Sequence, residues 1–389
     1  MKPPSNSPVP DPFPPALSEA DAGTGEMQLD ALDTYVLGRL TEPRLFRAGA
    51  KKIIRGRLDG SAGGREAFAR DLKAQPVNVF FERVDGATFA TVSRPPLARV
   101  PENWPLHLAL FIATLFTTAW GGAYWNGIDP FAGSTLARPD LAAIAGGLRT
   151  GLPFALALLA ILTCHEFGHY FAARRYGLDA SLPFYVPVPP FFSSLGTLGA
   201  VIKMRTPLYN RRILLDVGAA GPLAGMAAAL PILVYGILHA PVAPDVGGPG
   251  IIFNEPLLFS GLERLLRPDV TAGTDIEATS LVLAGWLGIF VTALNLLPAG
   301  QLDGGHVVYA LVGERQRWVG GLCFATLAGL GWLWMGWWVW AVLILLVVRI
   351  RHPRVPELDL PLGRRRTAIG WLTLALFVLC FHPVPFSIR

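Results

Sequence analysis

The sequence predicts an all-α polytopic membrane protein of about six to seven transmembrane helices, with a short re-entrant β segment and a small soluble α+β domain at its N-terminus. Three observations carry that reading. Apolar residues make up 52% of the 389 residues and charged residues only 16%, whereas an ordinary soluble domain carries about 25% charge. Apolar runs long enough to span a bilayer recur after residue 105. Basic clusters gather at one set of their ends.

Residues 1–26 are rich in Pro and Ser, with Asp11, Glu19, Asp21 and Glu26 against a single Lys2. That composition is expected to be a disordered tail. It has no basic stretch followed by an apolar one, so it does not read as a secretory signal. Residues 27–104 read as the soluble α+β domain. Gly64–Leu72 has helical spacing, while Val77–Val84 and Ala87–Ser93 alternate around Asp85-Gly86, a hairpin signal. Residues 105–389 form the membrane domain, with spans expected near 106–125, 152–174, 213–238, 279–297, 318–335, 336–350 and 367–385. The short apolar piece Leu141–Leu148 does not reach across.

Loop charges orient these spans. Residues 174–212 hold six basic side chains (Arg174, Arg175, Lys203, Arg205, Arg211 and Arg212) and only Asp179 as an acid. Residues 349–366 also hold six basic side chains, whereas 240–278 hold six acidic and two basic ones. The positive-inside rule then places 174–212, 300–317 and 349–366 in the cytoplasm and 240–278 outside. The N-terminal domain falls on the cytoplasmic side and the C-terminus outside. The net charge of +5 is thereby explained by topology, and no nucleic-acid partner is expected. The acidic tail favours a bacterial inner membrane over an organelle. Cys164, Cys323 and Cys380 form no CxxC, which excludes a disulfide framework.

The anomaly lies at the cytoplasmic end of the second span, in His165-Glu166-Phe167-Gly168-His169. Ionisable residues inside an apolar helix are costly and mark function. On a helix His165 and His169 project from one face, a spacing that sets two imidazoles on one zinc ion with Glu166 beside its water. Zinc needs a third protein ligand at similar depth. Asp303 is the one acid close to the inner end of the fourth span, where Pro298 and the following glycines break the helix. His306, one turn further on, competes for that role. Asp216, in the third span, reads as a structural hydrogen-bonding acid. The small-residue stretch Gly218–Gly225 reads as a close helix contact.

Between the second and third spans, Pro183, Pro187, Pro189 and Pro190 force extended backbone. The following Gly196-Thr197-Leu198-Gly199-Ala200-Val201-Ile202 reads as a short strand whose edge can pair with an extended peptide. A loop that merely plugs the site is the bland alternative.

His165-Glu166-x-x-His169 within one span, followed by Asn295-x-x-Pro298-x-x-x-Leu302-Asp303-Gly304, resembles the site-2 protease family of intramembrane zinc metalloproteases, peptidase family M50. The likeness covers roughly residues 105–385. Gly196–Ala200 and the soluble N-terminal extension are similar to the subgroup that includes the plastid EGY-type proteases. The resemblance implies one Zn²⁺ per chain, held by His165, His169 and Asp303, with Glu166 as catalytic base. It implies that Asn295 holds substrate or stabilises the oxyanion, while the strand reading gives Gly196, Thr197, Leu198, Gly199 and Ala200 as substrate-binding residues. The partners it implies are a transmembrane protein substrate and membrane lipid. A PDZ domain, common in the family's outer loop, is not expected in the roughly 40 residues of 240–278, given domain sizes of about 50 or more. Two other classes compete: a transporter or metal carrier with a broken-helix ion site, and a non-catalytic relative. Paired broken spans would mark the first and a missing site residue the second.

Overall fold

The computed structural model describes residues 29–48, 51–58, 64–75, 77–84, 86–94, 101–133, 140–206, 208, 210–244, 251–271, 273–355, 358 and 361–388. The expected disordered tail at 1–26 lies outside the described residues. The chain forms two compact units, Met1–Val100 and Pro101–Arg389.

The first unit is a four-stranded antiparallel sheet with two helices. Its elements are α1 (Ala31–Gly38), β1 (Thr41–Ala48), β2 (Lys51–Leu58), α2 (Gly64–Leu72), β3 (Asn78–Val84) and β4 (Ala87–Arg94), with strand order β1-β2-β4-β3. Asp30 caps α1 by accepting from the Leu32 and Asp33 amides, and Asp33 returns a bond to the Asp30 N–H, the reciprocal capping box. The core joins Val36, Leu40, Ile54, Leu58, Phe68, Leu72, Ala90 and Val92. Asp33 is fully buried, and Lys52 Nζ lies 2.8 Å from its carboxylate, which meets the demand of a buried charge for a partner. The hairpin over 77–93 is present, with Gly86 at φ +84° in its turn.

The second unit is mostly helical. Among the described residues, three helices are long and apolar enough to cross a membrane: α3 (Trp104–Trp125), α4 (Leu141–Arg175) and α5 (Arg211–His239). Leu141–Leu148, read from the sequence as a separate short piece, is the first two turns of α4. The helix continues through Pro153 because interior prolines are tolerated where neighbouring helices satisfy the freed carbonyl. Between α4 and α5 lies the antiparallel hairpin β5 (Phe184–Pro187) and β6 (Thr197–Val201). Outside α5 come β7 (Val242–Pro244), β8 (Ile251–Phe253), α6 (Leu257–Leu266) and β9 (Thr274–Ile276). The shorter helices follow: α7 (Ser280–Asn295), α8 (Asp303–Val312), α9 (Gln316–Leu330), α10 (Gly336–Leu343, extended by a π-helical turn to Val348) and α11 (Gly363–Cys380). The chain closes with β10 (Phe386–Ile388), which pairs antiparallel with β8. That pairing puts the C-terminal strand and the 240–278 loop on one side.

The β5–β6 hairpin runs alongside α3. His107, in the first turn of α3, bonds the Pro183 carbonyl through Nδ1 at 3.0 Å, and Phe111 packs edge-on to Tyr185. At the other end of α3, Trp125 Nε1 donates to the Ser194 carbonyl at 3.0 Å. A helix rises about 1.5 Å per residue, so these eighteen positions carry the hairpin about 27 Å along α3, close to the thickness of a bilayer core.

The core of this unit gathers α4, α5 and α7 around Phe154, Leu158, Ile161, Leu233, Trp286 and Ile289. Where α4 crosses α3 the backbones nearly touch. A Cβ on Gly151 would fall 1.8 Å from the Ala119 carbonyl oxygen, whereas Gly146, one turn earlier, has open space. Gly151→Ala is therefore expected to lower the thermal unfolding midpoint in detergent, at an overpacking cost of about 1–3 kcal/mol, while Gly146→Ala leaves it unchanged or higher. Equal midpoints for the two variants would contradict this helix crossing.

Candidate metal centre

Helix α4 brings His165 and His169 one turn apart, with ring centroids 4.9 Å from each other. Both are buried, at 5% and 8% exposed, and Glu166 between them is 7% exposed. Helix α5 passes behind them with its small residues. A Cβ on Gly221 would lie 2.0 Å from His169 Nε2, and one on Gly225 would lie 3.1 Å from His165 Nδ1. The glycines read from the sequence as a helix contact thus clear the space in which the two imidazoles stand. The Val217 carbonyl of the same helix accepts from His169 Nδ1 at 2.8 Å. That bond fixes the tautomer and leaves the Nε2 lone pair facing the cluster.

The third member comes from across the bundle. Helix α7 ends at Asn295, the chain folds through Leu296–Leu302, and Asp303 opens α8. Asp303 Oδ2 lies 3.2 Å from His165 Nε2 and 3.3 Å from His169 Nε2, and the two Nε2 atoms are 3.2 Å apart. Three donor atoms around one tetrahedral ion, each at about 2.0–2.1 Å, stand about 3.3 Å from one another. The triangle has that edge, and its chemistry (two imidazoles and a carboxylate) is a zinc donor set. The residues fit the metal on spacing, donor type and tautomer.

Asn295 joins the cluster, with Nδ2 3.4 Å from His165 Nε2. Glu166 Oε2 accepts from the Ile202 N–H at 3.0 Å, so the carboxylate beside the triangle is tied to the residue that follows β6. Of the strand residues Gly196–Ala200, Leu198 is 73% exposed and Thr197 is buried, with Thr197 Oγ1 bonding the Val186 carbonyl across the hairpin. His306 stands outside the three-atom group. Its Nδ1 meets His352 Nε2 at 2.7 Å instead. Asp216 accepts from Arg366 through Nε at 3.0 Å and Nη2 at 2.9 Å and from the Tyr176 hydroxyl, which ties the start of α11 and the end of α4 to α5.

Sequence reading missed several supports. The Ile202 amide and the Val217 carbonyl are backbone groups with no residue signature. Gln316 is 1% exposed, accepts the His352 N–H at 3.0 Å and donates to the Ile350 carbonyl at 3.2 Å. A lone glutamine at a helix start carries no signal of that role.

Two histidines one turn apart, a buried glutamate between them and a carboxylate from a second helix make up a candidate HExxH-class metal centre set among apolar helices. The profile of peptidase family M50 matches residues 153–321. Among curated proteins, the chain is 32% identical over 250 residues to the probable zinc metalloprotease EGY2, chloroplastic, of Arabidopsis thaliana, covering 62% of this chain and 43% of that one. It is 30% identical over 258 residues to the Arabidopsis EGY1 protein of the same description (63% and 45%) and 31% identical over 254 residues to EGY3 of Oryza sativa subsp. indica (60% and 42%). The chain thus spans less than half the length of each of these relatives. No solved structure matches it significantly. Residues 153–321 thus match the profile of peptidase family M50, and the chain is similar to the EGY proteins. The relatives are named as chloroplastic, so the bacterial inner membrane expected from the tail gains no support from them. The integral membrane character stands.

A second acid group lies in the 240–278 loop, where Glu255, Glu263 and Asp275 come together. Burial, then the neighbouring charges of Glu255 and Asp275, push the Glu263 carboxyl from its ordinary 4.5 up to about 7. Burial likewise raises Glu255. A carboxyl whose folded value is raised holds its proton more tightly folded than unfolded. The stability it contributes is complete below pH 4.5 and is lost as pH rises through about 7. The unfolding midpoint of the full chain is expected to fall between pH 5 and pH 8, and Glu263→Gln to flatten that fall. An unchanged pH profile in the variant would show that this group does not set it.

Proposed function

We propose that the chain is an intramembrane zinc metalloendopeptidase that hydrolyses peptide bonds in or near transmembrane segments of membrane protein substrates. The observation that carries this reading is the near-equilateral triangle of His165 Nε2, His169 Nε2 and Asp303 Oδ2, with Glu166 held beside it. In this reading the three residues hold one Zn²⁺ per chain. When bound, the metal supplies Lewis-acid polarisation of the peptide carbonyl and of water.

The protein's own groups do the rest. Glu166, buried and anchored through one oxygen, takes a proton from water and delivers it to the leaving amine. Its anchor on Ile202 fixes where that transfer happens. Asn295 Nδ2 donates to the developing oxyanion. Strand β6 receives the substrate as an added strand. The Gly196 and Lys203 carbonyls accept from Val188 and Ser181, on the β5 side, while the Ile202 N–H turns the other way, towards Glu166. The free edge of β6 therefore faces the candidate base, and a peptide laid on it passes the site.

The topology belongs to the same proposal. The three long helices span with the shorter apolar α7, α9, α10 and α11, giving six to seven spans. Positive-inside charge puts the soluble unit and the active site at the cytoplasmic side. The pairing of β10 with β8 supports a C-terminus on the side of the 240–278 loop. No PDZ domain stands in that loop in this reading.

Two measurements on the purified full chain test the proposal. Glu166→Gln is expected to keep its zinc, read by elemental analysis, and to lose about 10²–10⁴-fold in cleavage of a membrane-embedded reporter. Asp303→Asn and His165→Ala are expected to lose the metal, and a chelator to abolish cleavage by the wild type. Cleavage by Glu166→Gln at the wild-type rate would remove the assigned base, and full zinc occupancy in Asp303→Asn would remove the third ligand.

A further inference from the structure

The segment that follows α10 is built in an unusual way. Helix α10 ends in the π-helical turn Ile344–Val348, a form found mostly as single turns at functional sites. Arg349 then stands at φ +65° and ψ 151°, a region that is close to glycine-only and costs other residues about 1–3 kcal/mol. Among the described residues, Glu42 is the one other non-glycine with positive φ. Glycine at 349 would relieve the strain, yet the position carries an arginine.

The strained segment is not frayed. The Ile350 carbonyl accepts from the Gly300 N–H at 3.2 Å and from Gln316 Nε2 at 3.2 Å. A Cβ on Gly300 would lie 1.9 Å from the Arg349 carbonyl oxygen. His352 stacks on Tyr309, with ring centroids 4.3 Å apart. The backbone at Arg349 is thus held on both sides, and its side chain projects from a fixed base.

Arg349 and Arg351 line a cavity of about 420 Å³ together with Gln301, Leu345, Ile350 and His352, among others. Among the described residues, no carboxylate lines it, and neither guanidinium makes a hydrogen bond or ion pair with the protein. The neighbouring Arg354 differs, because it faces Glu314 at 3.8 Å. On the π-helical turn beside the cavity, Leu345, Leu346 and Val347 are 53%, 72% and 68% exposed. The cavity therefore combines an apolar flank of the kind that faces acyl chains with two arginines that have no ion-pair partner among the described residues.

We propose that this cavity binds the phosphodiester head group of an anionic membrane lipid. The two guanidiniums meet the phosphate oxygens, a geometry that suits arginine better than lysine, and the acyl chains run along Leu345 and Leu346. A general excess of arginine at the cytoplasmic surface accounts for the exposed Arg364 and Arg365 at the start of α11. Arg349 and Arg351 are exposed as well, and what sets Arg349 apart is its strained backbone beside the cavity. Because Gly300 and Asp303 share one short loop, the occupied cavity braces the loop that carries Asp303. The site itself stands independently of the proposed peptidase activity.

The test uses the full chain, delipidated in neutral detergent and titrated with phosphatidylglycerol or phosphatidylcholine under native mass spectrometry. The wild type is expected to retain one phosphatidylglycerol in clear preference to phosphatidylcholine. Arg349→Gly and Arg351→Gln are each expected to weaken that retention about tenfold, the scale of one charge-assisted hydrogen bond. Arg364→Gln/Arg365→Gln is expected to leave it nearly unchanged. Arg349→Gly relieves strain, so its unfolding midpoint in lipid-free detergent is expected to equal or exceed the wild type, which separates lost binding from lost folding. Wild-type retention in both cavity variants, or an equal loss in the α11 pair, would overturn the site. Displacement of the lipid by glycerol 3-phosphate at matching concentration would overturn the lipid assignment in favour of a soluble phosphate.

Discussion

Everything in the membrane unit answers to the cost of placing ionisable groups inside an apolar helix. His165, Glu166 and His169 fall within five residues of α4, each of them a group that lipid tolerates only when paired or metal-bound. The fold meets that cost from three directions. Helix α5 gives His169 a carbonyl, the segment after β6 gives Glu166 an amide, and α8 gives both imidazoles a carboxylate. Helices α5 and α8 must therefore reach α4 at the depth of His165 and His169, with α8 packed on α5 in one buried cluster and α7 joined to α4 and α5 in another.

That requirement explains the glycines of α5. Small residues in membrane helices are usually read as devices for close backbone approach, and Gly168 of α4 does sit against the Ala220 carbonyl. Gly221 and Gly225 serve a different need, since any side chain at either would press on an imidazole. Close packing and an open donor face are thus obtained from one stretch of sequence.

The site was more legible in the sequence than the scaffold around it. HExxH names its own geometry, because a helix puts positions i and i+4 on one face. Asp303 was reachable because acids are rare beside apolar spans. The supports were hidden where they are backbone atoms, as at Val217 and Ile202, or where an ordinary polar residue acts through position alone, as with Gln316. In the first unit, the hairpin around Gly86 showed through a clean alternation, whereas β1 and β2 did not. Lys51, Lys52, Arg55 and Arg57 fall on both parities of β2, so the strand lacks a polar face to recognise. The continuity of α4 was missed because Arg149 and Thr150 interrupt the apolar run, so that Leu141–Leu148 read as a piece too short to span.

The hairpin joins the two halves of this account. Its base is held by His107 at the first turn of α3, its tip by Trp125 at the last, and its exit by Glu166 of α4. A strand fixed at both ends and at the site cannot shift in register without breaking one of those bonds. In the proposed reading, β6 then sets which peptide bond of an added strand lies opposite Glu166. The selectivity of such a site follows from the register of the hairpin on α3 as much as from the shape of any pocket. Gly196 enforces that register, since its φ of +74° and its contact with the Thr117 carbonyl leave no room for a side chain where the strand begins.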